Sequence, residues 1–515
     1  MLSHPNTRLC IPVHESTVDA LKRAANEVSR DADIIELRVD ALSPDQVDDR
    51  LHEVIRELSK PVILTFRPYE QGGYRELSLS ERKDFWQRHF ESPAAFFDLE
   101  ADLVAELIDW ETDKQPDWSK VICSHHDFGG LPTDLESLFE RMSFTPARIL
   151  KFAFKANEIV DSVPVLKLLS WAHKKDREII ALSMGEAGVI TRIVGPSLGS
   201  FLSYATTAGR VGTAPGQLTV DELKNVYRIN SITNDTMITG LVGSPVLHSV
   251  SPHMHNAAFA DRNLNGVYLP FHVDDLSSFL GVMVTPASRE LGWNLRGLSI
   301  TAPHKTKILE YLDRVDPMAQ QVGAVNTVVL ENEQLCGYNT DADGFIEPLV
   351  RRIGSLSGAR AAVIGAGGAA NAAVFALKQR GVDVTLYVRD LNRAKSICER
   401  FNICCELLSP VEFAGADLVI NTTPLGSFGE SVNDTPALAS QLQRSSFVYD
   451  LVYNPIETRF MREGRAAGCH VLGGLEMLVE QARLQFKLWT NTNVSYELMY
   501  SAGSAALAKL FSEKL

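Results

Sequence analysis

The sequence predicts an α/β protein: an N-terminal (β/α)8 TIM barrel fused to a second, two-domain α/β half with a Rossmann-type nucleotide domain. Three observations lead there. Short β-rich runs alternate with helical patterns from Leu9 to about Ile229. A strand, a glycine turn, a helix and a second strand follow one another between Arg360 and Arg389. A short polar segment, Ser231 to Asp235, separates the two patterns. At 515 residues the chain exceeds what one hydrophobic core supports.

The β-rich runs of the first half fall at 9–13, 34–39, 62–66, 95–99, 121–124, 149–154, 179–183 and 200–204. Eight such units make a closed barrel, and an open doubly wound sheet has the same count. Helix signals fill the spacers; Ser43 and Pro44 cap and start one that runs to Leu58. In a barrel the chemistry sits at the C-terminal ends of the strands. Polar residues collect there: Glu36, Arg38, Arg67, the run Ser124-His125-His126-Asp127, Arg192, and the stretch from Thr213 to Gln217.

Lys151 interrupts the apolar run Ile149-Leu150-Lys151-Phe152-Ala153-Phe154. Burial disfavours an ammonium, and a neutral amine is a nucleophile that forms an imine with a ketone. A lone lysine in a strand is more often a snorkelling one. A histidine at the neighbouring strand end and a carboxylate on the second strand favour the nucleophile. Lys155 begins the following loop, and His125 faces away from His126 because side chains alternate along a strand.

These residues resemble the type I 3-dehydroquinate dehydratases. The matching pieces are Ile35-Glu36-Leu37-Arg38-Val39-Asp40, Thr65-Phe66-Arg67 before Gly72-Gly73, Ser124-His125-His126-Asp127-Phe128, and Lys151. They continue with Ser183-Met184-Gly185 leading to Thr191-Arg192, and with Ala214-Pro215-Gly216-Gln217. The resemblance implies a Schiff base between Lys151 and the C3 ketone of 3-dehydroquinate. It implies His126 as general acid/base for removing the C2 proton and releasing water from C1, with Glu36 orienting it. Arg192 would bind the substrate carboxylate, and Arg38, Arg67 and Gln217 its hydroxyls or carboxylate. Thr213, where some members have Ser, joins that set. The chemistry is coherent: an iminium acidifies the adjacent carbon, and a base with a near-neutral pKa transfers the proton. Gln71 departs from the pattern, since the family usually has Glu just before the Gly-Gly.

In the second half a strand at 238–243 leads to His248-Ser249-Val250-Ser251-Pro252, which opens a helix at His253. Two hydroxyls beside free helix N–H groups suit a carboxylate, and ordinary N-capping gives the same pattern. Leu298 to Lys305 ends a strand and starts a helix; Val325-Asn326-Thr327 and 337–344 follow. Then comes the glycine turn Gly365-Ala366-Gly367-Gly368-Ala369-Ala370, where the backbone turns tightly and a pyrophosphate can meet a helix N-terminus. Together these pieces resemble shikimate dehydrogenases, as do Asn421-Thr422-Thr423-Pro424-Leu425-Gly426, Tyr453 and the run from Gly473-Gly474-Leu475-Glu476-Met477 to Gln481.

That resemblance implies a two-domain α/β dehydrogenase reducing 3-dehydroshikimate. Lys305 and Asp341 would flank the reacting oxygen at C3, with Lys305 giving the proton and Asp341 holding it. Ser249 and Ser251 would take the carboxylate; Thr301, Asn326, Tyr453 and Gln481 complete the substrate contacts. Gly365, Ala366, Gly367, Gly368, Ala369, Asn421, Thr422, Thr423, Gly474 and Met477 form the implied cofactor set. Cofactor choice can be argued locally. The second strand ends Tyr387-Val388-Arg389-Asp390, with Arg393 one helical turn on. Arg389 and Arg393 make a clamp for a 2′-phosphate and favour NADP, while Asp390 leaves an NAD-type ribose contact open.

The expected domains are 1–232 for the barrel, 237–345 with 475–515 for substrate binding, and 346–474 for NADP. The amphipathic patterns 477–489 and 495–511 return to the substrate domain. The pairing of halves resembles the bifunctional 3-dehydroquinate dehydratase/shikimate dehydrogenase family. That implies a lyase and an oxidoreductase of the shikimate pathway, serving chorismate and aromatic amino acid biosynthesis. A non-catalytic regulatory homologue of the same pair would have lost Lys151, His126, Lys305 and Asp341, which are all here. A quinate-preferring second site is the other alternative.

A formal net charge of −14 argues against nucleic acid or an anionic membrane as partner, and leaves small-molecule substrates. The seven cysteines are scattered with no CxxC, which reads as reduced, non-metal thiols in a cytoplasmic setting. The N-terminus has no apolar signal core. The longest uncharged run, 361–377, carries glycines and fits the cofactor turn better than a membrane span. The expected assembly is a monomer or homodimer.

Overall fold

The computed structural model describes residues 7–47, 50–109, 115–210, 212, 214–408, 413, 415–443 and 445–512. They form two compact units. The first comprises Met1–Thr236 with Pro270–Val284 and Ser288–Trp293; the second comprises Met237–Leu269, Thr285–Ala287 and Asn294–Leu515.

The first unit contains strands β1 (Leu9–Val13), β2 (Ile34–Arg38), β3 (Val62–Thr65), β4 (Phe96–Glu100), β5 (Val121–Asp127), β6 (Ile149–Lys155), β7 (Glu178–Met184) and β8 (Ser203–Tyr204). All pairings are parallel, in the order β7-β6-β5-β4-β3-β2-β1-β8. A parallel bridge from Ile179 to Ser200 brings the segment entering β8 against β7, and the ring closes. The eight expected strands are therefore a barrel. Sheets buried on both faces read as near-continuous apolar runs, which is why these strands were visible in the sequence.

The period of two along each strand sets the barrel's layers. Ile34, Ile63, Ile122 and Ile149 belong to one buried cluster inside the ring. Two residues further along the same strands, on the same face, stand Glu36, Thr65, Ser124 and Lys151. An apolar floor thus carries a polar layer at the C-terminal end. The expected helix from Ser43 to Leu58 is not continuous. A 3₁₀ turn, Pro44–Gln46, comes first, Val47 leaves helical geometry, and the α-helix spans Arg50–Glu57; Ser43 makes no side-chain cap.

The second unit contains two sheets. One comprises β9 (Met237–Gly243), β10 (Gly266–His272), β11 (Asn294–Ile300), β12 (Arg314–Val315), β13 (Thr327–Glu331) and β14 (Gln334–Tyr338), ordered β10-β9-β11-β13-β14-β12. The other is wholly parallel: β15 (Arg360–Ile364), β16 (Asp383–Val388), β17 (Cys404–Leu407), β18 (Leu418–Asn421), β19 (Phe447–Asp450) and β20 (His470–Leu472), ordered β17-β16-β15-β18-β19-β20. Counted from β15, that is the 3-2-1-4-5-6 order of dinucleotide-binding sheets, whose ligand crevice lies where the order reverses, between β15 and β18.

Two local expectations shift. The helix after Ser249 is Ser251–Asp261, starting before His253 because Pro252 suits a first helical turn. No α-helix begins at Lys305; a 3₁₀ helix follows at Lys307–Tyr311. Helices Gly474–Thr490 and Tyr496–Ser512 contribute Val479, Phe486 and Met499 to a core shared with Leu241, Met254 and Phe259. Helix Asp341–Ile353 places Phe345, Ile346 and Leu349 in the core of the parallel sheet. The expected boundary after residue 345 therefore falls inside one continuous helix.

Close packing fixes helix Gly474–Thr490 on β11. A Cβ at Gly297 would lie 2.0 Å from Trp489 Nε1, which donates to Val328 O at 3.1 Å. Gly297→Ala should destabilise the second unit by about 1–3 kcal/mol, the usual cost of overpacking. Calorimetry should show its transition lowered with the barrel's unchanged; an unshifted transition would refute the packing argument.

Candidate active sites

The barrel's polar layer is a buried charge cluster. Lys151, 4% exposed, donates from Nζ to Asp98 Oδ2 at 2.7 Å and to the Tyr204 hydroxyl at 2.8 Å, with Glu36 Oε1 at 3.7 Å. Besides the expected carboxylate of the second strand, the lysine meets a second one. Asp98, from the neighbouring inward position of β4, gives its ammonium a buried partner. Burial opposes the charge of Asp98, but Arg67 and Lys151 outweigh it and hold the carboxyl well below the usual carboxylate range.

Arg67, nearly inaccessible at the end of β3, joins this cluster. Its Nη2 pairs with Asp98 Oδ1 at 2.7 Å, and its Nη1 donates to Ser124 Oγ at 3.2 Å and to His126 Nδ1 at 2.6 Å. A guanidinium has no acceptor, so Nδ1 carries the lone pair and Nε2 the proton. Burial, then Arg67 and Lys151, push His126 well below the ordinary histidine value, so its imidazole is neutral near pH 7. Glu36 accepts from Thr65 Oγ1 at 2.8 Å and faces Lys151. Arg67, not Glu36, is the side chain bonded to His126.

The remaining barrel residues divide into engaged and open. Arg38 is held by Asp40 through Nε at 3.1 Å and Nη2 at 2.8 Å, and Nη2 also donates to Gly72 O at 2.8 Å. Gln71 Oε1 accepts from His126 N at 3.3 Å. Arg192 differs: it is 2% exposed, and none of its three guanidinium nitrogens has a hydrogen-bond partner among the described residues. Burial pulls its pKa down to about 10. Glu36, Arg38, Arg67, His126, Lys151, Arg192, Tyr204 and Gln217 line one pocket. Thr213 lies outside the described residues. Lys155 is exposed at the far end of β6.

In the second unit a cleft runs from the first sheet to the crevice of the second. Lys305 Nζ donates to Asp341 Oδ2 at 2.5 Å. Asp341 is the first residue of its helix, and Asn326 Nδ2 donates to its Oδ1 at 2.9 Å. The same amide nitrogen reaches Thr340 Oγ1 at 2.9 Å and Gln481 Oε1 at 3.4 Å. Ser249 Oγ donates to Ser251 Oγ at 3.1 Å, and the Tyr453 phenol contacts Ser249. Beneath the cleft Tyr268 donates to Ser299 at 2.8 Å, Ser299 to Gln485 Oε1 at 2.7 Å, and Gln485 Nε2 to Asn326 O at 3.2 Å. Tyr268 also contacts Ser251, so this chain of bonds joins the serine end to Asn326 and the Lys305–Asp341 end. Thr301 and Gln481 line the same cleft.

The glycine turn meets it from the other sheet. Gly365 has φ +119, and a Cβ there would lie 2.5 Å from Thr422 Oγ1, so only glycine fits. Gly367 caps helix Gly368–Gln379 with open space around it, while a Cβ on Gly368 would come within 3.2 Å of Lys305 Cδ. Ala366 packs against the sheet core. Ala369, Thr422, Thr423, Gly474 and Met477 line the cleft. Gly474 is required by the approach of Leu451 O, 2.3 Å from where its Cβ would stand. Asn421 is fully buried and holds the loop internally, through Thr423, Leu425 O and Asp450. At the end of β16, Arg389 and Arg393 are exposed, and Asp390 accepts from Asn392 N at 2.9 Å as a helix cap. Arg393 Nε stands 4.0 Å from the other oxygen of Asp390, an exposed ion pair.

The bifunctional 3-dehydroquinate dehydratase/shikimate dehydrogenase of Arabidopsis thaliana, a chloroplastic protein, is 33% identical, over 96% of this chain and 83% of its own. The chain belongs to the bifunctional 3-dehydroquinate dehydratase/shikimate dehydrogenase family. The shikimate biosynthesis protein AroDE of Chlamydia pneumoniae is 29% identical over 89% of this chain and 90% of its own. A shikimate dehydrogenase (NADP(+)) of Caldanaerobacter subterraneus is 40% identical over 52% of this chain and 97% of its own. Family models of type I 3-dehydroquinase, the shikimate dehydrogenase substrate binding domain and the shikimate 5'-dehydrogenase C-terminal domain match residues 9–234, 241–328 and 474–502.

Sequence reasoning missed polar residues that bond to the groups of these sites: Asp98, Tyr204, Ser299 and Gln485. Asp98 had a signal, an acid at an alternate position of an apolar run, as telling as Lys151 itself. The other three are ordinary in their local sequence. One electrostatic consequence is testable. Arg67→Gln removes a cation that lowers the pKa of His126, so the imidazole should titrate at higher pH than in the parent, by NMR. An unchanged titration would show that burial alone sets it.

Proposed function

We propose that the chain catalyses two consecutive steps: dehydration of 3-dehydroquinate to 3-dehydroshikimate in the barrel, then NADPH-dependent reduction to shikimate in the second unit. The reading rests on one observation: a single chain pairs a buried, carboxylate-held lysine beside an unbonded buried arginine with a lysine–aspartate pair set against a glycine turn. The domain division that goes with it is 1–232, 237–345 with 475–515, and 346–474.

In the barrel, Arg192 is the carboxylate anchor. A buried cation without partners is costly, and a substrate carboxylate is the group that relieves it. It fixes the ring over Lys151, whose nitrogen adds to the C3 ketone. The resulting iminium draws electrons from C2. His126, neutral through the working pH range, takes the C2 proton on the ring nitrogen that Arg67 releases as the substrate enters, and returns one to the hydroxyl leaving C1. Arg67 and Asp98 hold this pair in place, and Glu36 gives Lys151 a further anionic neighbour.

In the second unit, Ser249 and Ser251 with Tyr453 receive the carboxylate, and Asn326, Thr301 and Gln481 the ring hydroxyls. Lys305 gives a proton to the C3 oxygen as it gains charge, and Asp341 aims it. The residues fit a dinucleotide: Gly365, Gly367 and Gly368 leave its phosphates room at a helix N-terminus, with Ala366 and Ala369 beside them. Arg389 and Arg393 would hold a 2′-phosphate, making NADP the cofactor. Bound there, it supplies the hydride. Asn421 shapes the wall that Thr422, Thr423, Gly474 and Met477 present to it.

Seven free thiols support a reducing, cytoplasmic setting, and no helix among the described residues is long and apolar enough to cross a membrane. With a net charge of −14 the partners are small molecules.

Borohydride with 3-dehydroquinate should leave a reduced adduct on Lys151, absent in Lys151→Met, which should retain the dehydrogenase; no adduct in the parent would sink the lyase mechanism. Conversely, Lys305→Met should cut shikimate dehydrogenation by about 10²–10⁴-fold, the usual contribution of a proton-transfer group, and spare the lyase. Parent rates with shikimate and with quinate identify the alcohol substrate. Removing Arg389 and Arg393 together should raise KM for NADP by roughly 10–100-fold, from lost charged hydrogen bonds, and leave KM for NAD unchanged. Equal effects on both cofactors would remove the arginines from the site.

A further inference from the structure

Tyr204 has no part in the chemistry above. It ends β8, 4% exposed, and its phenol oxygen accepts from Lys151 Nζ at 2.8 Å. The ammonium also lies 4.5 Å from the centre of its ring. Three acceptors surround the nitrogen: Asp98, Tyr204 and, at 3.7 Å, Glu36. Asp98 is held ionised by Arg67 and Lys151. Glu36 already receives the Thr65 hydroxyl. Only Tyr204 both accepts from the nitrogen and carries a hydrogen of its own, for which no described side chain supplies an acceptor. Burial holds the phenol well above its ordinary pKa, so it keeps that hydrogen at any working pH.

Imine formation needs such a group. An ammonium must lose a proton before it attacks, and the ketone oxygen must gain two before it leaves as water. His126 is poorly placed to do everything, because Arg67 occupies its Nδ1. We propose that Tyr204 is a catalytic residue of the barrel site, its hydroxyl relaying protons between Lys151 Nζ and the oxygen of the substrate ketone.

The step balances. In the first relay the phenol takes a proton from the ammonium and gives its own to the ketone oxygen. The freed lone pair forms the C–N bond as the C=O π pair moves to oxygen, leaving a carbinolamine with a positive nitrogen. In the second relay a proton passes from that nitrogen through the phenol to the hydroxyl. The C–O bond breaks, water leaves, and the nitrogen lone pair closes the C=N bond. One positive charge enters and one leaves, and the phenol ends each relay as it began. Hydrolysis of the product imine runs the same steps backwards.

The inference rests on the Schiff-base reading of Lys151, and Tyr204→Phe separates the two. The substitution keeps the ring beside Lys151 and removes only the oxygen. The expected result is a borohydride-trapped adduct, read by mass spectrometry, that still forms on Lys151 but about 10²-fold more slowly. The primary isotope effect from substrate deuterated at C2 should collapse towards unity, because imine formation then limits turnover. An adduct formed at the parental rate, or slower turnover with the isotope effect intact, would overturn the relay and leave the Schiff base standing. Absence of any adduct in the parent would instead remove the Schiff base itself. 3-Fluorotyrosine at position 204 keeps the shape and makes a more acidic phenol; a changed adduct rate supports the relay, and an unchanged one refutes it.

Discussion

An ammonium taken out of water costs several kcal/mol unless a carboxylate accompanies it. This chain meets that constraint twice. Lys151 is held by Asp98 inside the barrel, and Lys305 by Asp341 in the cleft of the second unit. In each case the lysine comes from a strand or the loop following one, and the aspartate from a different element. Neither pair exists until the fold is assembled. The surrounding polar residues follow from this. Arg67 balances the second oxygen of Asp98, and Asn326 the second oxygen of Asp341. A buried carboxylate with two lone-pair-bearing oxygens thus dictates two partners, and the second partner of each reaches onward to another site group. From Arg67 the link runs to His126, and from Asn326 to Gln481.

The two pairs differ in depth. The barrel cluster is almost sealed, and burial dominates its protonation: His126 is driven down, Tyr204 up. Lys305 keeps about a fifth of its side-chain surface. The difference suits the roles proposed for them, a nucleophile that must be shielded while an iminium exists and a proton donor that must be recharged between turnovers.

Much of this was legible in the sequence. Eight parallel strands were visible because strands covered on both faces leave apolar runs. The glycine turn was visible because Gly365 answers a backbone need that no other residue meets, and small residues follow it. Lys151 and His126 stood out because a lysine inside an apolar run and a histidine at a strand end are out of pattern, whereas Lys305 and Asp341 came from the resemblance; each lysine meets a carboxylate. What failed was pairing. The assignment of Glu36 to His126 came from resemblance, whereas the bond to His126 is made by Arg67, one strand over. Arg38 was given to the substrate and is engaged by Asp40. Tyr204 and Ser299 were invisible because their meaning lies in partners 53 and 31 residues away. Local rules erred where loop geometry outranked propensity: Ser43 is a good cap residue with only a 3₁₀ turn directly behind it, and Lys305 precedes another.

Helix Asp341–Ile353 begins with the acid that aims Lys305 and continues into the core of the nucleotide-type sheet through Phe345, Ile346 and Leu349. Its partner lysine follows β11, a strand of the other sheet. Asp341 itself follows β14 of that same sheet, so both ends of the pair are anchored there. One helix therefore ties the ion pair to the core of the nucleotide-type sheet.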